Sequence, residues 1–198
     1  MHIRQIDQFN IVIVGTGGQG LITLLQIIAE AALASGFDVK TSELHGLSQR
    51  GGSVEVHIRF GKNIYSPLVA QGKADLIVAL EMQESLKTAY FANSKTKFLI
   101  NKHIIPILLQ KTLIEEQVSA ALKKVSKNLT VVGASEICQK ELGTGVTAGV
   151  YLVSLAAAKK LLPLSPDSIL KAVKEVIPKQ HLDINLKTFA LAKKYAKT

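Results

Sequence analysis

Apolar runs near the start of the chain predict a strand, a covered helix and a second strand. Residues 9–14 form a continuous, β-branched run that ends in glycine, which is typical of a central strand in a parallel sheet. Residues 21–34 are apolar on nearly every side and stop at Gly36, so we expect a helix that is covered on most sides. Residues 38–44 are predicted as the second strand. The three segments make one βαβ unit, for which a right-handed crossover is expected.

The next stretch departs from a simple alternation of strand and helix. Residues 45–52 are polar and glycine-rich without helical periodicity, which predicts a loop. From residue 53 to residue 60, apolar and polar side chains alternate strictly, as in a strand with one buried and one exposed face. Residues 61–63 are predicted as a turn and residues 64–66 as the strand that pairs back. The buried face would hold Val54, Val56, Ile58 and Phe60, and the exposed face Glu55, His57 and Arg59.

The rest of the chain returns to buried strands and then becomes helical. Residues 74–80 have the pattern of another buried parallel strand. Ser165 and Pro166 are predicted as the N-cap and first residue of a helix. The remaining predicted elements are strands over residues 97–100 and 130–133 and helices over residues 83–91, 114–126, 135–142, 148–161, 165–176 and 185–197. We expect one α/β domain over residues 1–198. It would be a three-layer, Rossmann-like fold whose mostly parallel sheet carries an inserted antiparallel hairpin, followed by a helical C-terminal tail.

Composition narrows the function classes. The chain has 198 residues, 47% of them hydrophobic and 20% charged, which is typical of a globular protein. Its single cysteine, Cys138, excludes an internal disulfide and an iron–sulfur cluster held within the chain. His45 and His57 are too few for a metal site. No segment is apolar over a length that crosses a bilayer, and no export signal is visible, so we expect a cytoplasmic protein with no membrane contact.

The net charge of +9 does not indicate nucleic-acid binding. The lysines are scattered as pairs such as Lys123-Lys124 and Lys159-Lys160, mostly on predicted helices. Aromatic residues make up only 5% of the chain and do not interleave with the charges, so no base-stacking platform is predicted. We attribute most of the charge to solvated helix faces.

A glycine-rich segment between the first strand and the first helix is the main candidate site. Glycines allow a tight turn and a close approach to a ligand, and a helix that starts near Gly18 or Gln19 presents unpaired N–H groups to it. A phosphate or pyrophosphate is the natural guest of such a loop. The candidate binding residues, which we call the first glycine loop, are Gly15, Gly17, Gly18, Gln19 and Gly20 around Thr16.

A second concentration of polar residues follows the second strand. Glu43, His45, Gln49 and Arg50 lie beside the predicted carboxyl end of that strand. Ligands of open α/β sheets bind outside the carboxyl ends of the strands, so this loop and the first glycine loop are expected to flank one crevice. Glu43 stands about where a Rossmann domain places its ribose-binding acid. These facts alone would favour a free-standing NAD(P)-binding oxidoreductase.

Three features weaken the NAD(P) interpretation. Gly18 adds a glycine to the usual fingerprint, the second strand leads into a polar loop rather than a helix, and no catalytic constellation follows. A scaffold whose glycine loop binds no ligand remains a further alternative. No residue is nominated as catalytic.

Several motifs taken together point to a family. In order along the chain they are Gly15-Thr16-Gly17-Gly18-Gln19-Gly20, then Ser42 to Ser53 with His45-Gly46 and Gln49-Arg50-Gly51-Gly52, then Tyr65-Ser66-Pro67, and then Ala74-Asp75 through Ala79-Leu80-Glu81. The chain resembles the gamma subunit of 2-oxoacid:ferredoxin oxidoreductases, most closely the small subunit of the indolepyruvate type. It departs from the indolepyruvate type at Gly149, where an asparagine is usual.

The resemblance implies a role within a larger enzyme. Such complexes oxidatively decarboxylate a 2-oxoacid to an acyl-CoA and pass electrons through iron–sulfur clusters to ferredoxin. Thiamine diphosphate and the clusters are expected on the catalytic and ferredoxin-type partner subunits, so this chain would be inactive alone. The first glycine loop would face the cleft or the CoA phosphates, while Glu43, His45, Gln49 and Arg50 would line the cleft or an interface. In isolation, the chain could form a homodimer through the surface meant for its partners.

Overall fold

The computed structural model describes residues 6–46, 52–106 and 112–196. Over these residues the chain forms a six-stranded mixed sheet with the strand order β2-β3-β1-β4-β5-β6. The strands are β1 (Gln8–Thr16), β2 (Asp38–His45), β3 (Ser53–Gly61), β4 (Leu76–Ala79), β5 (Lys97–Asn101) and β6 (Leu129–Val132). The helices are α1 (Leu21–Leu33), a 3₁₀ helix (Glu84–Phe91), α2 (Glu115–Lys123), α3 (Ala134–Leu142), α4 (Ala148–Ala158), α5 (Pro166–Val176) and α6 (Lys179–Tyr195).

The sheet lies between two layers of helices, which confirms the predicted three-layer α/β fold. One face of the sheet packs against α1 and α3–α6, and its side chains form the larger hydrophobic core with Ile11, Ile13 and Val78. The other face packs against the 3₁₀ helix and α2 around Val12 and Val14. Successive residues of β1 thus serve opposite cores, because side chains alternate across a strand. α4 is buried along almost its whole length, which explains its apolar sequence on every side.

The antiparallel insertion is present, but its partner strands differ from those predicted. β3 pairs antiparallel with both β1 and β2, and it therefore separates the two strands that α1 connects. Residues 64–66 form no strand, so the prediction that they pair back onto residues 53–60 was wrong. The physical reason is that both edges of β3 are already occupied by neighbouring strands. The amide of Ile64 instead donates to the Asp38 carboxylate at 2.9 Å.

The polar face of β3 is more buried than its alternating pattern predicts. His57 is only 1% exposed because the segment that follows β3 crosses this face. The amide of Val69 donates to His57 Nδ1 at 2.9 Å, while His57 Nε2 lies 2.8 Å from Glu55 Oε1. Because Nδ1 accepts a hydrogen bond, Nε2 carries the ring proton and donates a hydrogen bond to Glu55 Oε1. The prediction of an exposed His57 was therefore wrong.

Several helix boundaries also moved. The predicted helix over residues 83–91 is a 3₁₀ helix, and α6 begins at Lys179 rather than at residue 185. The N-cap prediction is confirmed, since Ser165 Oγ accepts a hydrogen bond from the amide of Ser168 at 3.0 Å. Among the described residues, no helix is long and apolar enough to cross a membrane.

Candidate functional site

The first glycine loop leaves the sheet at the carboxyl end of β1. Gly15 and Thr16 still belong to β1, where they pair with β3. Gly18 and Gly20 have φ angles of 95° and 76°, in the left-handed region that favours glycine. α1 begins at Leu21, slightly later than the predicted start near Gly18, and its N-cap Gly20 provides no side-chain cap. The first amides of α1 are thus left for another acceptor.

Gln19 folds back onto the sheet instead of projecting from the loop. Its Oε1 accepts a hydrogen bond from the Thr16 amide at 2.8 Å, and its Nε2 lies 3.5 Å from the carbonyl oxygen of Leu80. A Cβ atom at Gly15 would lie 2.5 Å from Gln19 Oε1, so a side chain at this position would displace the Gln19 amide. Gln19 therefore shapes the loop by bridging the carboxyl ends of β1 and β4.

The loop amides divide into two groups. The amide of Gly17 donates to the carbonyl oxygen of Gly52 at 2.9 Å, and the amide of Thr16 is bound to Gln19. No acceptor within the described ranges contacts the amides of Gly18 or Gly20. These two amides and the uncapped start of α1 form the part of the loop that is suited to an anion.

A cavity of about 620 Å³ opens beside this loop, at the carboxyl ends of β1, β4, β5 and β6. We call it the cleft. It lies where the chain connections diverge, because α1 covers one face of the sheet while the 3₁₀ helix and α2 cover the other. The cleft is lined by Gly18, Gln19, Leu80, Asn101, Lys102, His103, Ser135, Glu136, Gln139, Thr144, Gly145, Val146, Ala148 and Gly149.

The far wall of the cleft is a second glycine loop, residues 143–147, which joins α3 to α4, together with the first residues of α4. Gly143 ends α3 with a φ angle of 76°, and α4 starts without a side-chain cap on its N-cap residue. Gly149 packs against α1, where an added Cβ would lie 2.8 Å from Leu24 Cδ1. Sequence reasoning missed this loop. A signal was available, because Gly143-Thr144-Gly145 repeats the Gly-Thr-Gly of the first glycine loop.

Asn101 is another functional candidate that sequence reasoning missed. It is the last residue of β5 and is 1% exposed at the floor of the cleft. Its Nδ2 donates to Leu80 O at 3.1 Å and to Ser135 Oγ at 2.8 Å, and its Oδ1 accepts from the Ser135 amide at 3.2 Å. A polar residue at the end of an apolar strand was the available signal.

An ion pair lies at the rim of the cleft, beside the carboxylate of Glu136. Lys102 Nζ lies 2.7 Å from Glu115 Oε2, and the hydrogen bond from Lys102 to that carboxylate raises the pKa of Lys102 above its ordinary value. The charges of Glu115 and, to a smaller extent, Glu116 and Glu136 act in the same direction. Lys102 is therefore fully protonated at neutral pH, next to His103 in the cleft lining.

The structure brings some of the predicted site residues together and leaves others apart. Gly18 and Gln19 line the cleft, and Gly15, Gly17 and Gly20 shape the loop beside it. Glu43 lies on the edge strand β2, with β3 between it and β1, and is not among the residues that line the cleft. The side chain of His45 and the whole of Gln49 and Arg50 lie outside the described residues. For His45, Gln49 and Arg50, a place in one crevice with the first glycine loop therefore stays a prediction.

No cluster of three or more histidine, cysteine, aspartate or glutamate side chains in the described part of the chain is arranged to hold a metal ion. Cys138 is buried, and burial raises the pKa of its thiol. The cleft lining offers backbone amides, Lys102, His103 and one carboxylate, Glu136, and the amides are the groups best suited to an anion.

Comparison with proteins of known family identifies the class to which this fold and cleft belong. The profile described as pyruvate ferredoxin/flavodoxin oxidoreductase matches residues 10–195. Indolepyruvate oxidoreductase subunit IorB of Archaeoglobus fulgidus is 36% identical over 189 residues, which cover 93% of each chain. The common gamma subunit of the pyruvate/ketoisovalerate oxidoreductases of Pyrococcus furiosus is 31% identical, covering 81% of this chain and 82% of its own.

Solved structures share the fold. The gamma subunit of a keto/oxoacid ferredoxin oxidoreductase from Geobacter sulfurreducens superposes with a TM-score of 0.67 at 22% identity, covering 96% of this chain and 98% of that chain. The 2-oxoglutarate:ferredoxin oxidoreductase of Magnetococcus marinus gives a TM-score of 0.73 at 17% identity. The match covers 97% of this chain and 31% of the longer Magnetococcus chain. The chain belongs to the pyruvate ferredoxin/flavodoxin oxidoreductase family, which confirms the predicted resemblance.

Proposed function

We propose that the chain is the gamma-type small subunit of a 2-oxoacid:ferredoxin oxidoreductase complex. The overall reaction joins a 2-oxoacid to CoA: the carboxylate leaves as CO₂, the CoA thiol loses its proton and forms the thioester, and two electrons pass singly to two ferredoxin molecules. The observation that carries the proposal is the cleft, framed by two glycine loops at uncapped helix starts, in a chain of this family.

The redox cofactors are proposed to reside on partner subunits. A cluster with thiolate ligands does not fit this chain, because its single cysteine is buried in the helical layer. The proposed partners are the catalytic and ferredoxin-type subunits, which would hold thiamine diphosphate and the iron–sulfur clusters. This chain would supply one wall of the site and would have no activity alone.

The cleft is proposed to receive the phosphate-bearing part of CoA. The amides of Gly18 and Gly20, which no acceptor among the described residues contacts, and the start of α1 favour an anion there, and protonated Lys102 stands at the rim in its ion pair with Glu115. Gly15, Gly17 and Gln19 would fix the shape of the loop. Glu43, His45, Gln49 and Arg50 are proposed to line an interface or the outer part of the cleft.

The test is reconstitution with the co-expressed partner subunits and measurement of 2-oxoacid-dependent ferredoxin reduction with and without CoA. We expect the complex to be active and the isolated chain to be inactive. Lys102→Ala should raise the KM for CoA by about ten-fold, the effect expected for one charge-assisted contact worth about 1.4 kcal/mol. Lys95→Ala is the control, because Lys95 is exposed before β5, at the opposite end of that strand from the cleft.

Other outcomes would favour the alternatives. Micromolar binding of NAD(P) by the isolated chain would favour a free-standing NAD(P)-dependent oxidoreductase. Unchanged CoA kinetics in Lys102→Ala, with normal assembly, would favour a scaffold subunit. We further propose that the isolated chain forms a homodimer through its partner surface, which sedimentation would test. The proposed location of the complex is the cytoplasm, which cell fractionation would test.

A further inference from the structure

The side-chain amide of Asn101 makes three hydrogen bonds, which tie it to the end of β4 and to the start of α3. Both protons of its Nδ2 are donated, one to Leu80 O at 3.1 Å and one to Ser135 Oγ at 2.8 Å, and its Oδ1 accepts the Ser135 amide at 3.2 Å. The side chain is 1% exposed, so none of these bonds is replaced by bulk water when it breaks. Only an amide of this length offers two donors and an acceptor at once.

The carbonyl oxygen of Leu80 connects Asn101 to the first glycine loop. It accepts from Asn101 Nδ2 and lies 3.5 Å from Gln19 Nε2, while Gln19 Oε1 holds the Thr16 amide at 2.8 Å. The chain of contacts therefore runs from the first glycine loop through Leu80 and Asn101 to the start of α3 at Ser135. We call this chain the amide bridge. It crosses the floor of the cleft, and all of its side chains line the cleft.

From this geometry we infer that Asn101 is a positioning residue, which keeps the first glycine loop and the start of α3 at a fixed separation for the ligand between them. The inference rests on the proposed function, in which that ligand is CoA. Loss of the bridge would remove none of the peptide amides that contact the ligand, but it would change their position relative to the ligand. Such a shift weakens ligand binding without removing any contacting group.

The experiment uses the reconstituted complex with the nearly isosteric substitution Asn101→Asp. The aspartate still accepts from Ser135 but has no proton for Leu80 O. We expect the KM for CoA to rise about ten-fold and the KM for the 2-oxoacid to stay within about two-fold. The matched control is Asn93→Asp: Asn93 Nδ2 donates to Gly72 O at 2.7 Å, and the residue precedes β5, away from the cleft.

A second variant covers the case in which Asn101→Asp does not fold or assemble. Ser135→Ala removes one of the three bonds of Asn101 at the edge of the bridge, and should raise the KM for CoA about three-fold. An unchanged KM for CoA in Ser135→Ala would overturn the inference, because this variant breaks the bridge without the negative charge that Asn101→Asp adds to the cleft. An equal rise in the Asn93→Asp control would also overturn it, since the effect would then be general destabilisation.

Lys102→Ala separates this inference from the proposed function. If Lys102→Ala raises the KM for CoA and the bridge variants do not, the cleft binds CoA but Asn101 does not position it. If none of these substitutions changes the KM for CoA, the proposed ligand and the inference both fall. Hydrogen exchange of the full chain adds a readout without ligand: the Thr16 amide should exchange faster in Asn101→Asp than in wild type.

Discussion

The hydroxyl of Tyr151 leads to a stability prediction that goes against ordinary expectation for a core substitution. Tyr151 lies on α4 with no exposed surface, and its hydroxyl has no hydrogen-bond partner in the described part of the chain. Burial, with smaller contributions from Cys138 and Tyr195, raises the pKa of Tyr151 to about 12. The ring is fully buried, while its hydroxyl loses contact with water on folding and gains no hydrogen bond within the described residues. Tyr151→Phe removes only that oxygen.

The expected gain follows from the cost of burying an unpaired hydroxyl. In proteins this cost is about 1–3 kcal/mol, and replacing the group by an apolar one of similar shape recovers part of it. Loss of one oxygen leaves a small gap that returns some of the gain. We therefore expect Tyr151→Phe to raise the free energy of unfolding by about 1 kcal/mol.

Urea denaturation of the full chain measures the change, and its pH dependence gives an independent check. The folded pKa of about 12 lies above the ordinary value of 10.0, so the unfolded chain loses this proton first. The part of the free energy of unfolding that depends on neutral Tyr151 is thus complete below pH 10 and declines as the pH rises towards 12. Tyr151→Phe should lack that decline. Tyr90→Phe, at a side chain that is 58% exposed, is the control and should change stability by less than about 0.5 kcal/mol. Destabilisation of Tyr151→Phe by 1 kcal/mol or more would refute the reasoning.

Two further substitutions test the helical layer. Lys160 follows α4 with a φ angle of 55°, a left-handed conformation that the helix end holds through the amides of Lys160 and Leu161. Because glycine adopts this conformation at lower cost, Lys160→Gly should raise the free energy of unfolding by about 1 kcal/mol. An unchanged or lower urea midpoint would contradict this. Gly149→Val should destabilise by about 2 kcal/mol, because even a Cβ would lie 2.8 Å from the buried Leu24 side chain. A midpoint equal to that of wild type would show that α1 and α4 move apart freely.

Local patterns in the sequence predicted most elements because the interactions that form them are local. The run over residues 9–14 became the buried part of β1, and the apolar residues from 21 onwards became α1. The first glycine loop was located correctly, since a strand that ends in glycine and is followed by a helix pattern requires a turn there. Ser165 was identified as an N-cap because its partner is only three residues away.

Contacts between distant segments decided the rest. β3 sits between β1 and β2, an arrangement that the alternation of residues 53–60 allows but does not specify. His57 is buried by a segment twelve residues further along the chain, which no periodicity could reveal. The cleft depends on the same kind of contact: Asn101 binds Ser135, 34 residues away, and Gln19 reaches Leu80 across 61 residues.

The sequence by itself therefore determined the fold class, the family and one wall of the candidate site. Hydrophobic periodicity, glycine positions and the order of motifs are properties of the linear sequence, so they can be recognised without knowledge of the fold. Only the tertiary structure showed that the second glycine loop forms the opposite wall and that Asn101 joins the end of β4 to the start of α3 across the floor. Asn101 lies on the floor of the cleft because the parallel strands end side by side there. The order of those strands is fixed by packing of the whole sheet, which no local pattern specifies.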